Sequence, residues 1–344
     1  MTRHRLFLTR PIPRAGLAIL DRSDVVIRRG EDRPERPVEE AILESGFRTA
    51  DAVLCLLTET VDRELLALNP DLRGVANMAV GYDNIDVEAA TELGIPVSNT
   101  PGILTDTTAD LTMALLLAVA RRIPWADRYV REGRYRAWDP ELFVGRDVGP
   151  GGEGRRRSLG VIGFGRIGRA VTRRAAGFEL EVLAHDPRHR DRVERDPRAR
   201  WAELAELLAV SDFVTLHVPL TGETRHLIGV PELRRMKPTA YLINTSRGPV
   251  IDEEALVTAL REGWIEGAGL DVYEEEPTIS PGLVERDDVV LLPHIGSASR
   301  STRDGMATAA VENALAHLRA ERAPNCVNPE VYGSERYRQR LGED

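Results

Sequence analysis

At 344 residues the chain is long for one hydrophobic core and predicts two domains. A composition 42% hydrophobic and 29% charged, with net charge −9 and an isoelectric point near 5.5, excludes the basic surface that nucleic-acid binding needs. Two cysteines, Cys55 and Cys326, make no disulfide framework, no Cys/His cluster has zinc spacing so no metal is expected, and the single lysine, Lys237, sits in a turn-like Met-Lys-Pro that discounts Schiff-base chemistry.

Residues 1–10 mix charges into their apolar positions and lack the apolar stretch of a signal peptide, so a cytoplasmic protein is expected. Residues 5–8, 24–27, 52–57, 74–78 and 95–97 read as short apolar strands, with helices near Ala15, Val38 and Asp86 between them. An open parallel α/β unit follows, whose ligands bind at the carboxyl ends of the strands, at Leu57-Thr58 and in the loop 77–84. Within that loop, Val80 and Gly81 either expose backbone N–H groups or form an ordinary turn. After a break at residues 99–102, a Thr/Asp-rich cap at 105–108 starts a long helix running to Arg122. Its most apolar run, 113–120, is too short to cross a bilayer. A charged helix comes next, then residues 147–157 (DVGPGGEGRRR), which read as a flexible surface loop without assigned function.

The stretch 158–168, SLGVIGFGRIG, is an apolar strand running into Gly163, Gly165 and Gly168 at G-x-G-x-x-G spacing and then into a helix. The first glycine suits a tight turn, the second the approach of a pyrophosphate, the third close helix packing, and the helix N-terminus favours an anion. A second strand, 181–184, ends in His185-Asp186-Pro187, placing Asp186 18 residues beyond Gly168, where a ribose-binding acid belongs. Strands at 213–217, 240–244, 268–271 and 289–292 complete an expected set of six, each ending in polar residues that converge on the cofactor crevice. A final helix, 299–319, with apolar Met306, Ala310, Ala314 and Leu318, returns to the first domain, and the polar tail after Val331 is expected to fray.

In chain order, VGYDNID (80–86), TDTTAD (105–110), GFGRIG (163–168), HVPLT (217–221), NTSRGPVIDEEAL (244–256), GLDVYEEEP (269–277) and PHIGSAS (293–299) resemble the D-isomer-specific 2-hydroxyacid dehydrogenases. LCLLTETVD, LTDTTADL and PHIGSAS are most similar to the glyoxylate and hydroxypyruvate reductases among them. The resemblance runs from about Leu6 to Pro329. It implies an α/β fold of two doubly wound parallel-sheet domains. A flavodoxin-like substrate domain is built from residues 1–99 and 298–331, a Rossmann dinucleotide-binding domain of 100–297 is inserted between hinges near Asn99 and Ser297, and 332–344 form a tail.

The resemblance also implies a catalytic set of Arg247, Glu276 and His294. A guanidinium fork holds the carboxylate of a 2-oxo acid, histidine delivers a proton to the carbonyl oxygen, and the glutamate before Pro277 holds the imidazole. Glu274 and Glu275 are the alternatives for Glu276. For NAD(H), with NADP(H) as the alternative, it implies contacts from Thr108, Gly163, Phe164, Gly165, Arg166, Ile167, Gly168, Asp186, His217, Pro219, Thr224, Thr245, Asp271 and Gly296. Val80 and Gly81 are implied to bind substrate through their amides, beside Arg247 and His294. A homodimer through the dinucleotide domain is implied too, with Trp138 resembling a tryptophan inserted into the neighbouring site; ordinary interface packing is its other reading. Competing readings are a same-fold dehydrogenase for phosphoglycerate, phosphite or formate, and a dinucleotide-sensing corepressor-like protein.

Overall fold

The computed structural model describes residues 4–33, 36–152 and 154–342. The outermost limits drawn for the domains, residues 1 and 344, and Glu153 of the glycine-rich insertion lie outside the described residues. The chain divides into two compact units, Met1–Leu104 with Ala298–Asp344, and Thr105–Ser297. The first changeover falls at Leu104 rather than Asn99 because residues 100–104 stay with the first unit: the Thr100 amide donates to Ala79, and Ile103 and Leu104 pack on its core.

The first unit runs β1 (His4–Leu8), α1 (Arg14–Leu20), β2 (Val25–Arg29), α2 (Glu40–Thr49), β3 (Ala52–Cys55), α3 (Arg63–Ala67), β4 (Val75–Asn77), α4 (Val87–Glu92) and β5 (Val97–Ser98). Its five strands are parallel in the order β2-β1-β3-β4-β5, a flavodoxin-like sheet. Side-chain alternation sends Leu6 and Leu8 into one apolar layer and Phe7 into another with Phe47, which is why these strands read as continuous apolar runs. Asp62 and Asp86 cap α3 and α4 by accepting from the Leu65 and Ala89 amides.

The second unit supplies α5 (Thr105–Ala120), α6 (Ile123–Arg131), β6 (Ser158–Ile162), α7 (Arg166–Ala175), β7 (Glu181–His185), α8 (Arg190–Glu194), β8 (Ala199–Trp201), α9 (Leu204–Val210) and β9 (Phe213–Leu216). It continues with α10 (Val230–Leu233), β10 (Tyr241–Asn244), α11 (Glu253–Arg261), β11 (Gly267–Leu270), α12 (Pro281–Val284) and β12 (Val289–Leu291). The parallel order is β12-β11-β10-β9-β6-β7-β8, so the sheet has seven strands where six were expected. The additional strand, β8, is a three-residue edge with no fully buried residue and a charged centre, Arg200, paired with Glu206. So short a segment carries no apolar run to read.

Two further expectations are corrected. Within the 147–157 insertion Val148 is 6% exposed and joins the core with Phe178, so the loop is anchored at that residue. After α13 (Arg300–Leu318), which returns to the first unit and is capped by Ser299, the tail forms α14 (Glu335–Leu341) instead of fraying. Ser334 caps it, Tyr337 is buried, and the Arg340 guanidinium donates to the carbonyls of Asn69 and Pro70 beyond α3 and of Leu93 at the end of α4. A cation there suits carbonyls at and just beyond helix C-termini.

His317 of α13 is 1% exposed, its ring against Gly74, with Nε2 3.0 Å from the Ser98 hydroxyl. Burial pushes the imidazole down from 6.5 to about 3. The native state therefore refuses a proton that the unfolded chain accepts, so this stability is present above about pH 6.5 and is lost as pH falls toward about 3. The expected slope approaches 1.4 kcal/mol per pH unit, roughly the cost of one displaced proton. Urea midpoints measured across this range should fall with pH, and His317→Gln should flatten the curve for the first unit. An unaltered slope in that variant would assign the acid sensitivity elsewhere.

Candidate active site

All seven strands of the second unit are parallel, so their carboxyl ends share one edge. That edge collects the glycine turn after β6, Asp186 after β7, His217 after β9, Thr245 and Arg247 after β10, Asp271 after β11 and His294 after β12.

The glycine turn fits a dinucleotide pyrophosphate. Gly163 has φ +92° and a side chain there would meet the His217 carbonyl, whereas Gly165 faces open space. Gly168 lies so close to the Gly163 carbonyl that a Cβ would approach to 2.1 Å, which joins α7 tightly to the strand. α7 begins at Arg166, presenting its N-terminus beside the open glycine. Asp186 is tied to the turn: one carboxylate oxygen accepts from the Phe164 amide at 2.8 Å, the other from the amides of Arg188 and His189, and the His189 ring lies 3.1 Å from the first.

Beyond the turn, Thr108 donates to the Gly296 carbonyl, and Thr112 pairs with Thr245 at 2.9 Å, joining α5 to the ends of β10 and β12. Thr224 donates to the Pro219 carbonyl and closes the loop after β9. The His217 ring is 3.0 Å from Thr215 through Nε2, its Nδ1 is buried without a partner among the described residues, and burial pushes it from 6.5 to about 3. It stands there as a neutral imidazole.

His294 and Glu276 meet directly. His294 Nδ1 donates to Glu276 Oε2 at 2.8 Å, and Glu276 Oε1 accepts from the Tyr273 amide at 3.0 Å. His294 has φ +52°, a conformation uncommon for a residue with a side chain, and its amide donates to the Asp271 carbonyl. Glu274 is drawn away toward His226 and Glu253, so it does not compete for the imidazole. Arg247 is joined to this pair through backbone: Gly248 lies so close to the Tyr273–Glu274 peptide that a Cβ would fall 1.8 Å from Tyr273. Arg247 also donates through Nη1 to the Ser246 carbonyl, while its own carbonyl accepts from Asn244.

Two residues organise their loops in ways the sequence did not show: Asp271, expected as a cofactor contact, and Glu59, which was not singled out. Asp271, 1% exposed, uses its carboxylate to accept from the amides of Ile295 and Gly296, both at 2.7 Å, so it shapes the loop that carries His294. Burial pushes its carboxyl up, and those two amides oppose the shift. Its position at a strand end gave no signal separating this role from a cofactor contact. Glu59, in the first unit, is 4% exposed and accepts from Thr9, Thr58 and the Leu56 amide, fixing the loop after β3. In the loop after β4, the carbonyls of Ala79, Val80 and Gly81 accept from the Thr100 amide and the Asn99 and Asn77 side chains, which sets the orientation of the Val80 and Gly81 peptides. Trp138, in the second unit, is 79% exposed.

A model of the D-isomer specific 2-hydroxyacid dehydrogenase NAD binding domain matches residues 113–296. A glyoxylate reductase of Korarchaeum cryptofilum is 50% identical over 330 residues, covering 95% of this chain and 96% of that one. A Thermus thermophilus protein of known structure matches with TM-score 0.83 at 41% identity, over 94% of this chain and 99% of the other. An NADPH-dependent glyoxylate/hydroxypyruvate reductase of Sinorhizobium meliloti, solved with NADP and malonate, matches with TM-score 0.80 at 32% identity, over 95% and 98%. With a glycine turn, a strand-end acid and a histidine–glutamate pair along one sheet edge, this chain belongs to the D-isomer-specific 2-hydroxyacid dehydrogenase family.

Proposed function

We propose that the protein reduces a small 2-oxo acid, glyoxylate or hydroxypyruvate, to the D-2-hydroxy acid with NADH as reductant. The 2.8 Å contact between His294 and Glu276 at the sheet edge that carries the glycine turn is the observation that bears this reading. Bound NADH supplies the hydride. Arg247 holds the substrate carboxylate with its guanidinium fork, and the Val80 and Gly81 amides of the first unit are proposed as substrate donors. His294 gives the carbonyl oxygen its proton from Nε2, since Nδ1 is engaged by Glu276. Steady-state oxidation of NADH against glyoxylate, hydroxypyruvate, phosphoglycerate and phosphite tests the proposal. Turnover with phosphoglycerate or phosphite alone would make it a dehydrogenase of another substrate, and turnover with none of the four would favour the sensing role.

The cofactor proposed is NADH, on the ground of Asp186. A carboxylate accepts from a ribose 2′-hydroxyl and repels a 2′-phosphate. Two of the nearby arginines that would receive a phosphate are engaged: Arg188 pairs with Glu223 at 2.7 Å, and Arg190 pairs with Glu194 and lies over Trp201. The ratio of kcat/KM for NADH over NADPH should exceed one and fall by about tenfold or more in Asp186→Ser, the loss of one charge-assisted hydrogen bond. A wild-type ratio favouring NADPH, or a mutant ratio that does not move, removes Asp186 from the ribose.

A homodimer through the second unit is proposed from α6 and the segment after it, where no residue of the helix is buried and Ile123, Val130, Trp138 and Val144 are all exposed. Trp138 is then an interface side chain, and sedimentation of the wild type against Trp138→Ala tests the assembly. Among the described residues no helix is long and apolar enough to cross a membrane, and the cytoplasm is the compartment proposed.

A further inference from the structure

We propose that Glu253 is a positioning residue that fixes the spacing between Arg247 and the Glu276–His294 pair; this rests on the site reading above. Glu253 is the first residue of α11, directly after its cap Asp252. Its two carboxylate oxygens accept from two amides of one loop: Oε2 from Glu274 and Oε1 from Ser280, each at 3.0 Å. The Glu253 amide in turn donates to Glu274 Oε2 at 3.1 Å, so the two glutamates exchange reciprocal bonds. One side chain thus grips both ends of the 274–280 segment, and Glu276 lies inside that span.

The other end of the connection is Arg247. From there to Glu253 the chain is short and held, with Ile228 bridged to Ile251 and the Asp252 amide donating to the Ile228 carbonyl. At its start Gly248 presses on Tyr273, and at its finish Glu253 binds Glu274 and Ser280. The segment carrying the carboxylate-binding arginine therefore touches the segment carrying the histidine's partner at two places. Gly248 sets how close they come, and Glu253 keeps the second segment from swinging away. A carboxylate serves because both groups it meets are N–H donors; a carboxamide accepts through one oxygen and presents a donor to the second amide.

The test uses the full-length protein with NADH and glyoxylate. Glu253→Ala should lower kcat by about a hundredfold and Glu253→Gln by about tenfold, the cost of a misplacement near one ångström, with the NADH dissociation constant changed by less than about twofold. In the cofactor-free protein, the His294 Nδ1 proton should exchange with solvent faster in Glu253→Ala than in the wild type. Because Glu253 acts through Glu276, its substitution should cost little further in a Glu276→Gln background. Turnover near wild type in Glu253→Ala, or losses that simply add in the double variant, overturn this inference alone. If the alanine variant does not fold, Glu253→Gln and its cycle with Glu276→Gln decide by the same criteria. Full turnover in Glu276→Gln overturns the site reading and this inference with it.

Discussion

His294→Ala should lower kcat for the reduction by about 10²- to 10⁴-fold, the range for loss of a positioned general acid, while NADH binds as before. The imidazole is committed on one side: Nδ1 is held by Glu276, so Nε2 is the nitrogen left for the proposed proton transfer. The backbone is committed too, since φ is +52° and the His294 amide is bonded to the Asp271 carbonyl. Neither feature serves the glycine turn, whose contacts run through Phe164 and Asp186. Cofactor affinity and turnover should therefore separate. Glu276→Gln should cost less than His294→Ala, because glutamine still accepts the Nδ1 hydrogen but cannot stabilise a charged ring. Steady-state rates with fluorescence titration of NADH in each variant check both statements. A His294→Ala enzyme within about tenfold of wild type would leave the proton without its donor and sink the assignment.

What the sequence disclosed was what backbone geometry demands of residue type. Gly163, Gly165 and Gly168 announce themselves because each answers a separate steric need, and the structure shows three different surroundings: a carbonyl, open space and a packed helix. Buried parallel strands announced themselves as apolar runs. The edge strand β8 stayed hidden, since Ala199-Arg200-Trp201 is half exposed and too short to show a pattern. The docking of α14 was equally illegible: Arg340 is one more charge in a polar tail until the fold brings it to carbonyls some 250 positions earlier, as at Leu93, |i−j| = 247. Asp271 shows the limit at the site itself. An acid at a strand end fits a cofactor contact or a loop brace, and the bracing is visible only in the two 2.7 Å amide bonds. The same limit applies to Glu253, which reads as a favourable acid in the first turn of α11 and nothing more.

Gly248→Ala should be the most damaging single-carbon change in the second unit, with activity down by about a hundredfold or more. Its φ is not the reason, because Gly248 lies outside the positive-φ glycines. The obstacle is the Tyr273–Glu274 peptide: a Cβ on residue 248 would sit 1.8 Å from the Tyr273 carbonyl carbon and oxygen and 2.5 Å from the Glu274 nitrogen. Backbone on both sides cannot rotate out of the way as a flexible side chain would. Ordinary contact needs about 3.5 Å or more, so the two segments must part by well over one ångström. The strain of such overpacking is about 1–3 kcal/mol, which a folded domain of this size tolerates. The separation of Arg247 from Glu276 does not tolerate it, because those two residues ride on the segments that part, and His294 is held by Glu276. The variant should therefore remain folded, with a lowered unfolding midpoint, bind NADH with nearly native affinity, and lose both substrate affinity and turnover. Gly165→Ala supplies the contrast, since its Cβ enters open space in the protein itself and would meet only the cofactor. That variant should lose NADH affinity and keep its unfolding midpoint. Equal behaviour of the two alanine variants in thermal unfolding and NADH titration would mean that the contact between Gly248 and Tyr273 does not set the geometry of the site.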